Sequence, residues 1–395
     1  MEADMTGENN GQRMAGDWGR RGFIGALAAT AATAVAASAP AASAAPPGRP
    51  PNRARPLFLG TYTTKPGGGT GLGLATYDEA TGQITGTGTL TGVPDPSYLC
   101  VHPSGRTLYA VNEQEQGGVT AVGLSPAGPE VLGARGTGGA GPCHLSVHPS
   151  GRWLLSANYL SGSVAVHPVQ RSGALGELSD LVTHSSPPPG PGQDGPHAHQ
   201  IVTSPDGGHL LAVDLGNDTV YSYRLDAKRG KLTQVSYATL RPGSGPRHLT
   251  FHPSGRFAYL ANEVDNTVVV CAYDPASGRL TPGAPQSTGT GEGTSYPAQL
   301  LVTREGTFAF LANRGHNSLT RYAVEAGGAR LRLLDTVPVG GDFPRHIAFS
   351  PSQRLLFAAN QKSSSVSVFQ VGKGGRLRLA SEPFAAPVAV CALPL

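Results

Sequence analysis

From about residue 57 onward the chain alternates short apolar runs with clusters of glycine, proline, serine and asparagine, and no stretch sustains the apolar period of a helix. Six of these stretches align without a gap: "YLCVHPSGRTLYAVNE" from Tyr98, "HLSVHPSGRWLLSANY" from His144, "QIVTSPDGGHLLAVDL" from Gln200, "HLTFHPSGRFAYLANE" from His248, "QLLVTREGTFAFLANR" from Gln299 and "HIAFSPSQRLLFAANQ" from His346. Their turn position falls at Gly105, Gly151, Gly207, Gly255, Gly306 and Gln353, and an Asn or Asp follows seven residues later each time. Within one unit the runs 144–148, 153–158, 163–169 and 178–184 are separated by turn chemistry, so each unit reads as four strands. Four strands in a unit of about 40 to 50 residues predict a propeller blade.

Six blades are visible in this way. "PLFLGTYTT" and "GLGLATYDEATGQITG" supply further strands before the first motif, and "EPFAAPVAVCALPL" supplies one at the end. Joining the two ends completes a seventh blade and removes the free sheet edges that an open ring would leave. The expected fold is therefore all-β: a seven-bladed β-propeller of four-stranded blades over residues 56–395, closed by N- and C-terminal strands in one blade.

Composition refines this picture at the N-terminus. "GRRGFIGALAATAATAVAASAPAASAAPPG" pairs Arg20 and Arg21 with Phe23, an Ala-rich stretch and a small-residue site at Ala42-Ser43-Ala44, so residues 1–44 read as a twin-arginine-type export signal of a bacterial protein. Its apolar stretch, about 14 residues, is short of the roughly 20 that a membrane span needs, so no stable anchor is expected after cleavage. Residues 45–55 follow as a Pro-rich leader. The formal charge of +4 carries no Lys/Arg block, which argues against a nucleic-acid partner. Cys100, Cys143, Cys271 and Cys391 lie in or beside strand-like runs, where a free thiol packs as a small hydrophobe. Exported chains permit disulfides, but a chain of this size does not need them.

In a propeller the innermost strand of each blade lines the central channel, and the residues just before it and just after the second strand meet at the face where the chain comes in. Two columns deserve comparison for that reason. The leading column reads Ser97, Cys143, His199, Arg247, Ala298, Arg345, with Tyr98, His144, Gln200, His248, Gln299 and His346 beside it. The trailing column reads Glu113, Tyr159, Leu215, Glu263, Arg314 and Gln361. Variation at otherwise repeated positions is what one asymmetric site assembled from several blades requires. His102, His148 and His252, by contrast, occupy a single repeated position in the turns of the far face and read as packing residues, as do the repeated asparagines.

The combination "GPHAHQ", "GPRHLTFHP", "LANE" and "LANRGHNSL", in that order, resembles the lactonase family of seven-bladed propellers, which includes 6-phosphogluconolactonases and carboxymuconate lactonising enzymes. The likeness runs from residue 57 to the C-terminus. It implies hydrolysis of a sugar-type lactone, with His199, Arg247, Glu263 and Arg314 as catalytic groups. By their place around the mouth, His197, Arg345 and Glu113 are expected to contribute to substrate binding, as are His144, His248 and His346, whose recurrence also suits hydrogen bonding within the scaffold. Lactone opening needs a base to deprotonate water and a cation to hold the developing anion. Either His199 or Glu263 serves the first need. Arg247 serves the second, while Arg314 and Arg345 suit a phosphate or carboxylate on the substrate. His197 and His199 have the spacing of metal ligands on a strand, but no carboxylate or Cys completes a set, so neither metal nor cofactor is expected. The expected partner is a small lactone, with or without an anionic group, acted on by a monomer. Two alternatives remain open: a carboxymuconate-type lactonising enzyme and a non-catalytic extracellular binding propeller.

Overall fold

Each aligned stretch folds as an antiparallel hairpin whose tight turn carries a residue of positive φ, glycine in five of the six and Gln353 in the last. The computed structural model describes residues 54–185 and 193–395. They form seven antiparallel sheets. The innermost strands of six blades are Leu99–Val101, Pro142–Val147, Ala198–Thr203, Pro246–Phe251, Tyr296–Val302 and Pro344–Phe349, and they head blades 2 to 7 in chain order. Blade 1 takes its innermost strand from the C-terminus: Ala389–Pro394 pairs with Arg55–Thr61, which continues into Leu72–Tyr77 and Ile84–Leu90. Blade 7 carries one additional short strand, Phe384–Ala385, on its third strand. The ring is closed as the sequence predicts. The proposed export signal and nearly all of the leader lie outside the described residues, and Arg55, its last position, already pairs with Tyr77.

The core is not one mass but seven apolar seams, one between each pair of neighbouring blades. Leu57 and Tyr77 of blade 1 pack on Phe357 and Val368 of blade 7, for example, and Tyr259 and Val268 of blade 5 on Leu311 and Tyr322 of blade 6. Both faces of every sheet are thus covered, which is why the second and third strands read as nearly unbroken apolar runs. Among the described residues no helix is long and apolar enough to cross a membrane.

The repeated polar positions hold this frame together. His102 hydrogen-bonds Ser104 of its own turn through Nδ1 and the carbonyl of Gly151 in the next blade through Nε2, at 2.8 and 2.9 Å. His252 makes the same pair of contacts to Ser254 and to Gly306. Both glycines have positive φ, and a Cβ on Gly306 would sit 2.4 Å from the His252 ring, so only glycine fits. The repeated asparagines close the turn after the second strand: Asn313 donates to Ser318 and Thr320, and Asn360 to Ser365 and Ser367. All four cysteines are free thiols, and burial pushes their pKa values upward, Cys271 and Cys391 to about 12.

Candidate active site

The leading column owes its position to an irregularity that recurs from blade to blade. The pairing of the innermost strand with the second strand skips one residue between Pro142 and His144, Ala198 and Gln200, Pro246 and His248, and Pro344 and His346. The skipped residues are Cys143, His199, Arg247 and Arg345. A bulge of this kind redirects a side chain that regular alternation would send to the opposite face of the sheet. Here it lets two consecutive side chains serve the axis, one at the mouth and one deeper. The backbone device is repeated, and only the residue placed on it changes.

At the mouth these residues meet the trailing column in a cavity of about 290 Å³ lined by Tyr62, Lys65, Glu113, Cys143, Tyr159, His199, Glu263, Arg314, Phe343, Arg345 and Gln361. Two charge clusters face it. In the first, Glu263 Oε2 pairs with Arg247 Nε at 3.0 Å and with Arg314 Nη2. Arg247 also donates from Nη1 to the Ala298 carbonyl at 2.6 Å, and Arg314 to the carbonyls of Tyr296 and Pro297, both at 3.2 Å. In the second, Glu113 accepts hydrogen bonds from Ser97 and from the Tyr62 hydroxyl and lies 3.7 Å from Arg345. Arg247 itself is not on the cavity wall; it is buried behind Glu263, so the guanidiniums that line the cavity are Arg314 and Arg345.

Concentrating three largely buried guanidiniums at the mouth shifts the groups around them. Burial, then Arg247, Arg345 and Arg314, hold the His199 imidazole well below its ordinary pKa, so it is neutral at pH 7. Its Nδ1 is buried with no hydrogen-bond partner in the protein. Burial would raise the Glu263 carboxyl, but Arg314 and Arg247 outweigh it and keep the group ionised. Burial and the proximity of Arg314 pull Arg247 down, with Glu263 as counterweight. Burial also works against the charge on Arg345, yet Tyr62 and Glu113 more than compensate. Removing the first carboxylate should therefore be costly. Glu263→Gln is expected to lower unfolding stability by about 3 kcal/mol, because it leaves two buried guanidiniums without their shared partner. Urea denaturation measures this, and a loss below about 1 kcal/mol would show that the arginines find other compensation.

Below the mouth, Tyr98, His144, His248 and His346 pack their rings together across the axis. Ring centroids lie 4.3 Å apart for Tyr98 and His144, 5.3 Å for Tyr98 and His346, and 5.5 Å for His144 and His248. His199 touches this layer from above, 5.1 Å from His248. His144 and His346 line a different cavity, on the far-face side of the channel, that shares no residue with the mouth. Their Nδ1 atoms accept backbone N–H groups of the next blade, from Ile201 and Ala392, each at 3.4 Å. Gln200 and Gln299 do the same for Leu249 and Ile347. This column thus stitches blade to blade beneath the mouth.

His197 stands behind the wall. Its ring stacks on Tyr159 at 4.4 Å, its Nδ1 is bonded to the Tyr159 carbonyl and its Nε2 to Asp194, so both nitrogens are engaged. Asp214 accepts the His197 backbone N–H at 2.7 Å and fixes the segment that leads into His199. Among the described residues no cluster of three or more His, Cys, Asp or Glu is arranged to hold a metal. Tyr62, Lys65, Tyr159, Cys143, Phe343 and Gln361 join the site without having been singled out in the sequence. Tyr159, Cys143 and Gln361 stand in the two compared columns. Tyr62 directly follows the second strand of blade 1, the counterpart of Glu113, but that blade lacks the turn motif on which the alignment rests.

Known proteins share both chain and fold. The family model described as "Lactonase, 7-bladed beta-propeller" matches residues 56–394. The 6-phosphogluconolactonase of Bacillus subtilis (strain 168) is 32% identical over 340 residues, spanning 85% of this chain and 96% of the relative. Among solved structures, the periplasmic gluconolactonase of Pseudomonas aeruginosa superposes with a TM-score of 0.80 at 30% identity, covering 87% of this chain and 99% of that one. A protein from Lactobacillus plantarum superposes with a TM-score of 0.81 at 31% identity, covering 87% and 99%. With a propeller closed between its own termini and a family match over nearly all of that ring, the chain belongs to the lactonase family of seven-bladed β-propellers.

Proposed function

We propose that the protein is an exported hydrolase that opens a sugar-sized lactone by direct attack of water. The observation that carries this reading is the meeting of His199, Glu263, Arg314 and Arg345 in one cavity of about 290 Å³. That volume lies near the lower end of small-ligand pockets, about 300–1,000 Å³, and suits a single substituted ring. Export rests on the twin-arginine-type segment, and the periplasmic gluconolactonase similar to this chain supports it.

In the proposed reaction His199 removes a proton from water as the oxygen attacks the lactone carbonyl carbon. The carbonyl π electrons move onto oxygen, and the resulting anion is held by Arg314 or Arg345. Collapse of the tetrahedral species breaks the bond to the ring oxygen, which takes the proton back from His199. The products are a hydroxyl and a carboxylic acid, which releases its own proton to solvent at neutral pH. Glu263, whose Oε2 pairs with both Arg247 and Arg314, positions those cations and tempers their field, and in this reading the neutral His199 is the base.

The test is a pH-controlled assay of glucono-δ-lactone and its 6-phosphate with spontaneous opening subtracted. Acceleration of at least one of the two is expected, lost in Arg314→Met; no acceleration on either overturns the reading. The same assay carries a sign. A base at the ordinary imidazole value would be about three-quarters protonated at pH 6. Since His199 is held far below that value, kcat/KM should stay level from pH 8 down to pH 6. A fall centred near pH 6.5 would assign the limb to another group.

A further inference from the structure

The cations of the floor have carboxylate partners, and among the described residues no carboxylate forms an ion pair with those of the rim. Glu263 is shared between Arg247 and Arg314, and Glu113 faces Arg345. Two further exposed cations stand beside this site: Lys65, which lines the cavity, and Lys362, which borders it across the ring of Phe343. Among the described residues, what each ammonium meets is an aromatic face: Lys65 Nζ lies 4.5 Å from the centre of the Tyr62 ring, and Lys362 Nζ 4.3 Å from that of Phe343. The same two rings touch the floor, with Arg345 5.9 Å from Tyr62 and Arg314 5.4 Å from Phe343. Each aromatic ring therefore contacts one buried guanidinium and one rim ammonium.

The backbone holds both lysines in place. Buried Asp95 accepts the N–H groups of Thr63 and Thr64 at 2.7 and 3.0 Å, which fixes the chain entering Lys65. Phe343 has a φ of 66°, a left-handed conformation that costs a bulky residue about 1–3 kcal/mol and persists where the surroundings impose it. Its N–H is held by Asn317 at 2.8 Å, and the Lys362 N–H by the Asp342 carbonyl at 3.1 Å. Strained backbone is thus maintained at the point where a ring is set between a floor cation and a rim cation.

Resting on the lactonase reading above, we propose that Lys65 and Lys362 form an anion subsite at the rim, separate from the arginines of the floor. It selects lactones that carry a second anionic group, phosphate or carboxylate, remote from the carbonyl. A ring whose carbonyl reaches Arg314 and Arg345 presents its distal substituent toward the mouth, where the two lysines stand. Long-range attraction from such a rim raises the encounter rate for anions and weakens with ionic strength.

The experiment compares the full chain with the double variant Lys65→Met/Lys362→Met on three lactones: glucono-δ-lactone, its 6-phosphate, and glucaro-lactone, which carries a carboxylate instead. For whichever anionic lactone the subsite takes, kcat/KM should fall about tenfold, mainly through KM, as expected for a contact equal in ground and transition states. On the neutral lactone, whose cavity Lys65 also borders, the fall should be at least about fivefold smaller than on the anionic one. The salt dependence of kcat/KM seen with the anionic substrate should flatten in the variant. The phosphate and carboxylate arms tell which anion is favoured. Equal losses on all three lactones, or no loss on any, overturn the proposal. Should the wild-type chain open none of them, the lactonase reading fails first, and calorimetric binding of 6-phosphogluconate against gluconate still tests the subsite: tighter binding of the phosphate by the wild type, lost in the double variant, supports it, and equal binding refutes it.

Discussion

His199→Ala is expected to lower kcat for lactone opening by about 10²–10⁴-fold, the range that a positioned general base contributes. The same substitution should leave the fold intact. His199 Nδ1 makes no hydrogen bond in the protein, so truncating the neutral ring leaves no buried partner of that nitrogen unpaired. A thermal midpoint within a few degrees of the wild type is therefore the companion result. Added imidazole should restore part of the rate, because the variant opens space beside a cavity that solvent already reaches. An activity within about threefold of the wild type would remove His199 from the chemistry. A large loss without rescue, together with a collapsed melting transition, would assign it a structural role instead.

The second large effect concerns stability against acid. His144, His199, His248 and His346 are all buried as neutral imidazoles. Burial, reinforced by Arg247, depresses all four, with His144 and His346 pushed down to about 3. An unfolded chain takes up protons at these residues from about pH 6.5, whereas the folded chain does not until the pH is far lower. Between those limits the unfolded state binds more protons, so stability is full above pH 6.5 and is lost as the pH falls toward the folded values. Each imidazole contributes about 1.4 kcal/mol per pH unit in that window. Chemical denaturation at pH 7, 6 and 5 should show a slope of about two to four protons. A level stability between pH 7 and pH 5 would mean that the layer charges in place. Glu263, ionised by Arg314 and Arg247, adds to the same trend at lower pH.

Much of the architecture was readable from the chain because a propeller writes itself repeatedly. Six copies of one turn, five with its glycine and five with the asparagine that follows, carry the strand order, the blade size and the far-face role of His102 and His252, since identical backbone needs recur at identical positions. Variation between copies pointed in the other direction, to the mouth, and brought together His199, Glu263, Arg314, Arg345 and Glu113, all of which line one cavity. Tyr62 and Lys65 carry no such repeat signal. Their blade is assembled from the two ends of the chain, so it has no copy of the motif to align.

Fold class, blade count, ring closure and the identity of the columns that reach the mouth follow from the sequence by itself, because they depend on periodicity and on local turn chemistry. Depth along the axis does not. Whether a residue of the leading column reaches the cavity, as His199 does, or lies behind a partner, as Arg247 does behind Glu263, depends on the bulge and on which side chains the neighbouring blades bring beside it. The same holds for His144 and His346, one residue along from the mouth and below it, and for the two rings that join floor arginines to rim lysines. Those relations run between residues far apart in the chain, and only the closed ring sets their distances.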